Sequence, residues 1–403
     1  MPDPRGRSEH RTRVRSRAVG LATAEEVIEL LVDGTGLDTV GPIGGVPLVV
    51  VRVADDAATS RCAGLLRRMP CVGIGVDETG DLPSAASALD ILLTQAKDPP
   101  APWVGSEAAA DHEAISEAVA RSPEASVTLV QLLRIGEVLD RRDALIAESL
   151  AYGLLQGGRS HREWLSSRPL RDRRPPAGRP GDATDSAVLL ERTGDALRVT
   201  LNRPAVRNAY NTAMRDGLVG AFQLGAIDPT ITSIEVDGAG ASFCSGGDLT
   251  EFGTVPDAVT GHLVRSSRSP AWWLAESRPA GGRGVGRGGR GGRRGGRPGR
   301  GGDGGSRVRG RGGAPVSFFV HGPCVGAGVE LPAFGTEVSA DPATTFRLPE
   351  VAMGLVPGAG GTASLPARIG RHRTAHLAIS GGAIDAATAL GWGLVDRVAV
   401  NGR

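Results

Sequence analysis

Apolar and polar residues follow distinct rhythms along this chain, and each rhythm predicts a different kind of structure. Ala22–Val32 repeats its apolar residues at helical spacing behind Thr23, whose hydroxyl suits an N-cap. Val46–Val53 and Cys71–Val76 are short β-branched runs bounded by Gly, Pro and Asp, the pattern of buried strands, so the first part of the chain reads as an α/β module. From Glu113 to about Leu165 the rhythm is helical. Val127, Val130, Leu133 and Leu139 fall on one side, Leu145, Leu150 and Leu154 follow, and Pro123 suits the start of a helix. Ser167–Asp182, rich in Arg, Pro and Gly, predicts a linker. Beyond it Ala187–Glu191 and Ala196–Leu201 predict strands around the turn at Gly194, Thr212–Leu224 a helix and Ile231–Val236 another strand. Strand, Gly-rich turn and helix then recur near the end of the chain, which favours an α/β fold.

The rhythm fails at Ala280–Gly313, which is dominated by Gly and Arg and cannot bury a core. The expected organisation is therefore a disordered basic tail at 1–18, an α/β and helical region at 19–166, a linker at 167–186, and a second domain at 187–403 interrupted by a disordered tract at 280–313. That tract changes the reading of charge. Residues 281–313 hold ten Arg against one Asp, a net +9 within an overall +2, so the rest of the chain stands at −7. No aromatic residue interleaves with these arginines for base stacking, so a flexible insertion or a shifted reading frame is preferred to a nucleic-acid contact. Cys62, Cys71, Cys244 and Cys324 lie far apart, which suggests neither a zinc site nor a disulfide framework. The N-terminus lacks the apolar stretch of a signal peptide and no run approaches the length of a membrane span, so a cytoplasmic protein is expected.

Two turns carry candidate chemistry: Phe243-Cys244-Ser245-Gly246-Gly247-Asp248-Leu249, and His321-Gly322-Pro323-Cys324-Val325-Gly326-Ala327-Gly328-Val329-Glu330. Small residues let a ligand approach the main chain, and backbone N–H groups at such turns can converge on a developing oxyanion. The second turn runs into Glu330, and Glu350 follows in Phe346-Arg347-Leu348-Pro349-Glu350. Two carboxylates beside one oxyanion site can divide acid and base work, provided their surroundings separate their pKa values. Each piece alone has a plainer reading, a packing turn or a surface glutamate. Asp248 reads as a cap, His321 as structural, Cys244 and Cys324 as buried thiols, and Trp272 and Trp273 as core or acyl-pocket residues.

The order and spacing of these pieces resemble the crotonase, or enoyl-CoA hydratase/isomerase, superfamily over residues 187–403. Leu201-Asn202-Arg203-Pro204 with Arg207, Asn208 and Ala209 is similar to the family's opening signature beside coenzyme A. Ser245-Gly246-Gly247-Asp248-Leu249 and Gly326-Ala327-Gly328 resemble its two oxyanion turns. Pro349-Glu350 through Gly354-Leu355-Val356-Pro357-Gly358-Ala359-Gly360-Gly361-Thr362 is the most specific match, and Gly391-Trp392-Gly393-Leu394-Val395 is similar to its closing strand. The resemblance implies an α/β fold with a β-β-α superhelical core and an acyl-CoA thioester as substrate. It places the oxyanion-hole donors at the N–H groups of Gly247 and Ala327, and acid/base work at Glu330 and Glu350. It implies no metal and no cofactor beyond the coenzyme A of the substrate, and a homo-oligomer, trimer or hexamer. Both glutamate positions of the hydratase members are filled, which favours hydration of an enoyl-CoA. Isomerisation, decarboxylation, cofactor-free oxygenation and silent acyl-CoA binding are the rivals.

The Gly/Arg tract stands where the family has a helix and a strand, so Val316–Val320 is expected to serve as a shortened strand. The chain stops where the family continues into helices. Glu113–Leu165, with Glu148-Ser149-Leu150-Ala151 and Ser160-His161-Arg162-Glu163, has the look of that missing part. The N-terminal region is therefore expected to be a degenerate crotonase-like unit whose helices replace the absent ones.

Overall fold

The structure is a computed structural model that describes residues 20–32, 36–105, 109–168, 186–276 and 313–399. The basic tail, nearly all of the linker and nearly all of the Gly/Arg tract lie outside the described residues.

The first unit is a five-stranded parallel sheet in chain order: β1 (Leu21–Thr23), β2 (Leu48–Arg52), β3 (Val72–Asp77), β4 (Ile91–Thr94) and β5 (Val104–Gly105). Parallel neighbours need crossovers, and α1 (Ala24–Val32) and α2 (Ala57–Leu66) supply the first two. Every residue of β3 is buried, as expected of a strand covered on both faces. Ala22 lies in β1 and not in the predicted helix. The cause is a reciprocal cap, with the Glu26 N–H donating to Thr23 Oγ1 at 3.3 Å and the Thr23 N–H to Glu26 Oε2 at 2.9 Å, so the helix starts only after Thr23.

Four helices follow: α3 (Ala109–Arg121), α4 (Pro123–Gly136), α5 (Arg141–Gln156) and α6 (Arg159–Ser167). Pro123 opens α4, and Asp140 caps α5 by accepting from the N–H groups of Arg142 and Asp143. In α5 the predicted apolar side is corrected. Leu145 and Leu155 are buried but Leu150 and Leu154 are exposed, and the inner stripe between the buried pair is Glu148, Ser149 and Tyr152. Polar groups hold those inner positions because they find partners there.

The second unit comprises β6 (Val188–Thr193), β7 (Ala196–Leu201), α7 (Thr212–Ile227), β8 (Ser233–Gly238), α8 (Ala258–Ser267), α9 (Pro270–Glu276), β9 (Val316–Val320), β10 (Pro323–Val325), α10 (Ala327–Glu330), β11 (Glu337–Ala340), β12 (Thr345–Arg347), α11 (Gly361–Ser380), β13 (Ala383–Asp385), α12 (Ala386–Trp392) and β14 (Arg397–Val398). One sheet has the order β14-β11-β9-β8-β7-β6 and a smaller one the order β10-β12-β13. The chain passes from large sheet to small and back, β9 to β10 to β11 to β12, before α11 closes the turn. That alternation is the β-β-α superhelical spiral implied by the resemblance. Val316–Val320 is a central strand, paired in parallel with both β8 and β11.

The two units share one hydrophobic core, which runs from Val50 and Ile74 through Leu129 to Leu365 and Leu377. Helix α11, two helical segments joined by a kink at Gly370, is the seam, packed against α3, α4 and α5. Its Arg371 donates to the carbonyls of Leu89 and Ser87, both at 2.7 Å, and to Glu137 at 2.9 Å. Its Arg373 donates to the carbonyls of Trp103 at 3.1 Å and Pro99 at 2.9 Å. Two buried guanidiniums thus satisfy carbonyls that the first unit leaves at its edge.

Candidate active site

The two Gly-rich turns are neighbours because β-type pairing ties them. Cys244 bridges Cys324, and the Val325 N–H donates to the Cys244 carbonyl at 3.0 Å. Gly247 is pinned from both sides, the Tyr210 N–H donating to the Gly246 carbonyl and the Asp248 N–H to the Tyr210 carbonyl, each at 2.8 Å. Ala327 is the first residue of α10, where backbone N–H groups precede any intrahelical acceptor. Both residues line a cavity of about 210 Å³ together with Glu330, Glu350, Tyr152, Gln156, Asp248 and Arg265.

Gly326, before Ala327, has φ +52, and a Cβ there would stand 2.5 Å from Glu350 Oε1. Any side chain would displace that carboxylate, so glycine is required on both counts. Gly358 answers a different need, since a Cβ on it would meet the Tyr152 ring at 2.4 Å.

Four consecutive N–H groups at the start of α11 are divided between two carboxylates. Ala359 and Gly361 donate to Glu330 Oε2 at 2.7 and 2.9 Å. Gly360 donates to Glu148 Oε1 at 2.7 Å, and Thr362 donates to Glu148 Oε2 from its N–H at 2.8 Å and its hydroxyl at 2.7 Å. The helix N-terminus would otherwise leave these donors unpaired, and its positive end favours negative charge beside it. Burial opposes that charge and prevails. It raises the Glu148 carboxyl to about 7 against the lowering effect of its hydrogen bonds. Burial, then the charges of Glu350 and Glu148, pushes Glu330 well above the usual carboxylate range. Glu350 is raised to about 7, chiefly by burial, and its Oε2 is shut from solvent with no hydrogen-bond partner among the described residues. Burial therefore makes these carboxyls hold their protons to higher pH than exposed ones would.

An enoyl-CoA hydratase/isomerase family model matches residues 191–270 and 312–401. The C-terminal half of this chain belongs to that family. Among the relatives of this enoyl-CoA hydratase/isomerase domain, 2,3-dehydroadipyl-CoA hydratase of Escherichia coli is 29% identical over 53% of this chain and 69% of its own length. Mevalonyl-coenzyme A hydratase of Beauveria bassiana is 29% identical over 51% of this chain, and the match spans 64% of that protein's length. Among solved structures, an enoyl-CoA hydratase of Mycobacterium smegmatis is 26% identical, covering 53% of this chain and 70% of that one, with a TM-score of 0.41.

Within the enoyl-CoA hydratase/isomerase domain, the structure brings Gly247, Asp248, Ala327, Glu330 and Glu350 to one cavity. The other residues singled out in the sequence do not line it, and several of them fix the turns behind it. Arg203 donates to the Ala209 carbonyl and, at 3.0 Å, to Asp248. Asn208 is buried, its amide donating to the carbonyls of Ala239 and Ser242, both at 2.9 Å. Ser245, Gly246 and Gly328 hold the turns together, the Ser245 N–H donating to the Arg207 carbonyl at 3.0 Å. A Cβ on Gly328 would stand 2.3 Å from the Cys244 carbonyl oxygen. Arg207 and Leu249 are exposed. Asp248 caps a short turn through Thr250, and His321 faces the Gly240 carbonyl at 3.0 Å. Cys244 and Cys324 are buried free thiols. Among the described residues no cluster of His, Cys, Asp or Glu could hold a metal ion, and no helix is long and apolar enough to cross a membrane.

Motif reading quoted Glu148 only for its likeness to the family's missing helices, and it missed Tyr152, Gln156 and Arg265. The signal was nonetheless present, because Glu148, Tyr152 and Gln156 recur every fourth residue and so share one helix face.

A raised carboxyl pKa makes a pH prediction. A group that binds its proton more tightly when folded stabilises the fold at low pH, and that contribution disappears as pH rises through the folded value. The melting temperature of the parent should therefore fall relative to Glu350→Gln between about pH 5 and about pH 8. Thermal unfolding of both proteins across that range checks it. Parallel curves would show that Glu350 is not shifted.

Proposed function

We propose that the chain hydrates the 2,3 double bond of an enoyl-CoA, with Glu330 and Glu350 as a joint acid/base pair. What supports this reading is that Gly247, Ala327 and two carboxyls of raised pKa line one cavity. The hydratase relatives support the same reaction class. In the reaction the N–H groups of Gly247 and Ala327 take the thioester oxygen as negative charge develops on it. An ionised carboxylate accepts a proton from water as the water oxygen bonds to C3. The electron pair of the double bond moves toward the carbonyl, and the protonated carboxyl delivers its proton to C2. The cycle closes when the two carboxyls exchange a proton. No redox partner enters this balance.

We extend the proposal to the N-terminal region. Its sequential parallel sheet and helices α3–α6 serve as a companion crotonase-like unit, of which α3–α5 complete the covering of α11.

The test is loss of enoyl absorbance on incubating the protein with crotonyl-CoA and with enoyl-CoAs of polar chain, followed by identification of the 3-hydroxyacyl product. A folded protein that binds these thioesters and returns them unchanged would contradict the proposal.

A further inference from the structure

Arg265 occupies an unusual place in the cavity. It projects from α8 into a slot bordered by two glycines. A Cβ on Gly261 would stand 3.2 Å from its Nη1, and one on Gly153 3.4 Å from its Nη2. Its guanidinium carbon lies 4.5 Å from the centroid of the Tyr152 ring. Its hydrogen bonds go to neutral acceptors at the long end of the normal range. They reach Ser149 Oγ at 3.2 Å, Gln156 Oε1 at 3.3 Å and the Ser149 carbonyl at 3.3 Å. Among the described residues no carboxylate stands within ion-pair distance of it.

An arginine carries five N–H donors, and these bonds occupy three. Glu148 lies near enough for its charge to act on Arg265 but makes no direct ion pair with it, so a part-buried cation facing a cavity keeps spare donors that a ligand acceptor would satisfy. Tyr152 links this place to the reaction centre, because its ring underlies Arg265 and packs against Gly358 beside the glutamates. A plain hydrocarbon chain in this cavity would leave the remaining guanidinium donors without an acceptor.

We propose that Arg265, with Gln156 and Tyr152, forms a subsite for an oxygen-bearing terminus of the acyl group, a carboxylate or a hydroxyl. The inference rests on the acyl-CoA reading above and narrows it, because the preferred thioesters are then polar acyl-CoAs and not simple alkyl ones. A fixed, planar guanidinium suits bidentate contact with a carboxylate and a single bond to a hydroxyl.

The test uses saturated thioesters, so that binding is read without turnover. Titration calorimetry would compare butyryl-CoA, glutaryl-CoA, 4-hydroxybutyryl-CoA and free CoA against the parent, Arg265→Gln and Arg265→Lys. The parent is expected to bind glutaryl-CoA or 4-hydroxybutyryl-CoA about tenfold or more tightly than butyryl-CoA, the scale of one charge-assisted hydrogen bond. Which of the two gains identifies the terminus. Arg265→Gln should erase that preference while butyryl-CoA affinity stays within about twofold, which also shows that the variant is folded. Arg265→Lys should keep part of a carboxylate preference. Equal binding of all acyl-CoAs by the parent would overturn the subsite. Equal weakening of every ligand in Arg265→Gln, free CoA included, would overturn it too, by assigning Arg265 to the coenzyme or to the fold. Binding of none of the thioesters by the parent would instead defeat the acyl-CoA reading itself.

Discussion

Glu330→Gln is expected to slow hydration of an accepted enoyl-CoA by about 10²- to 10⁴-fold, the range that general acid/base groups contribute. The amide oxygen of a glutamine can still accept the Ala359 and Gly361 N–H groups that Glu330 Oε2 accepts. The loop at the head of α11 should therefore persist, and affinity for a saturated acyl-CoA should change little. Only the ability to carry a proton is removed. Glu350→Gln should cost a similar factor, and the double variant should be little worse than either single one, since the two groups act as a unit. Steady-state rates set beside calorimetric affinities separate these effects. Unchanged turnover in either single variant would remove that glutamate from the reaction.

The second large effect is expected from deleting residues 1–168. The truncated chain would lose Glu148, which pairs the Gly360 and Thr362 N–H groups. It would also lose the carbonyls of Ser87, Leu89, Pro99 and Trp103 that satisfy Arg371 and Arg373. These groups would turn to water once uncovered, so each lost bond costs only about 0.5–1.5 kcal/mol net, against a total fold stability of about 5–15 kcal/mol. Exposure of the apolar side of α11, which shares one core with the deleted unit, is the larger loss. The truncated chain should accumulate as insoluble material. Gel filtration and far-ultraviolet circular dichroism of the soluble fraction provide the check, and a monodisperse, folded and active 169–403 fragment would refute the companion role given to the N-terminal unit.

Legibility in the sequence followed the range of the interactions concerned. Turns and caps are local, so Pro123 at the start of α4 and the glycines around Gly247 and Ala327 could be read in place. Strand runs with β-branched residues were readable for the same reason, and Val316–Val320 emerged as a central strand. The short strands β1, β4, β5, β10, β12 and β13 were not read, because a few residues carry too little periodicity. The stripe of α5 was misassigned because Leu150 and Leu154 follow the helical rhythm while facing outward. The inner side is held by Glu148 and Tyr152, whose partners lie near residue 360, and no local pattern announces a bond across more than 200 positions. Arg265 was hidden in the same way, since its neighbours come from α5, more than 100 positions away.

The seam at α11 also bears on how the protein is made. Helices α3–α5 leave the ribosome long before Gly361–Ser380, the helix that covers them. At about 5–20 residues per second, the interval between the end of α5 and the end of α11 is roughly 10–45 s. During that time the newborn N-terminal half carries an uncovered apolar surface and guanidinium acceptors with nothing to accept. Such surfaces are what chaperones bind and what aggregates grow from. Contacts spanning most of the chain also close late, which slows folding. Yield in a cell should therefore respond to chaperone supply and to translation speed more sharply than the finished protein's stability would suggest.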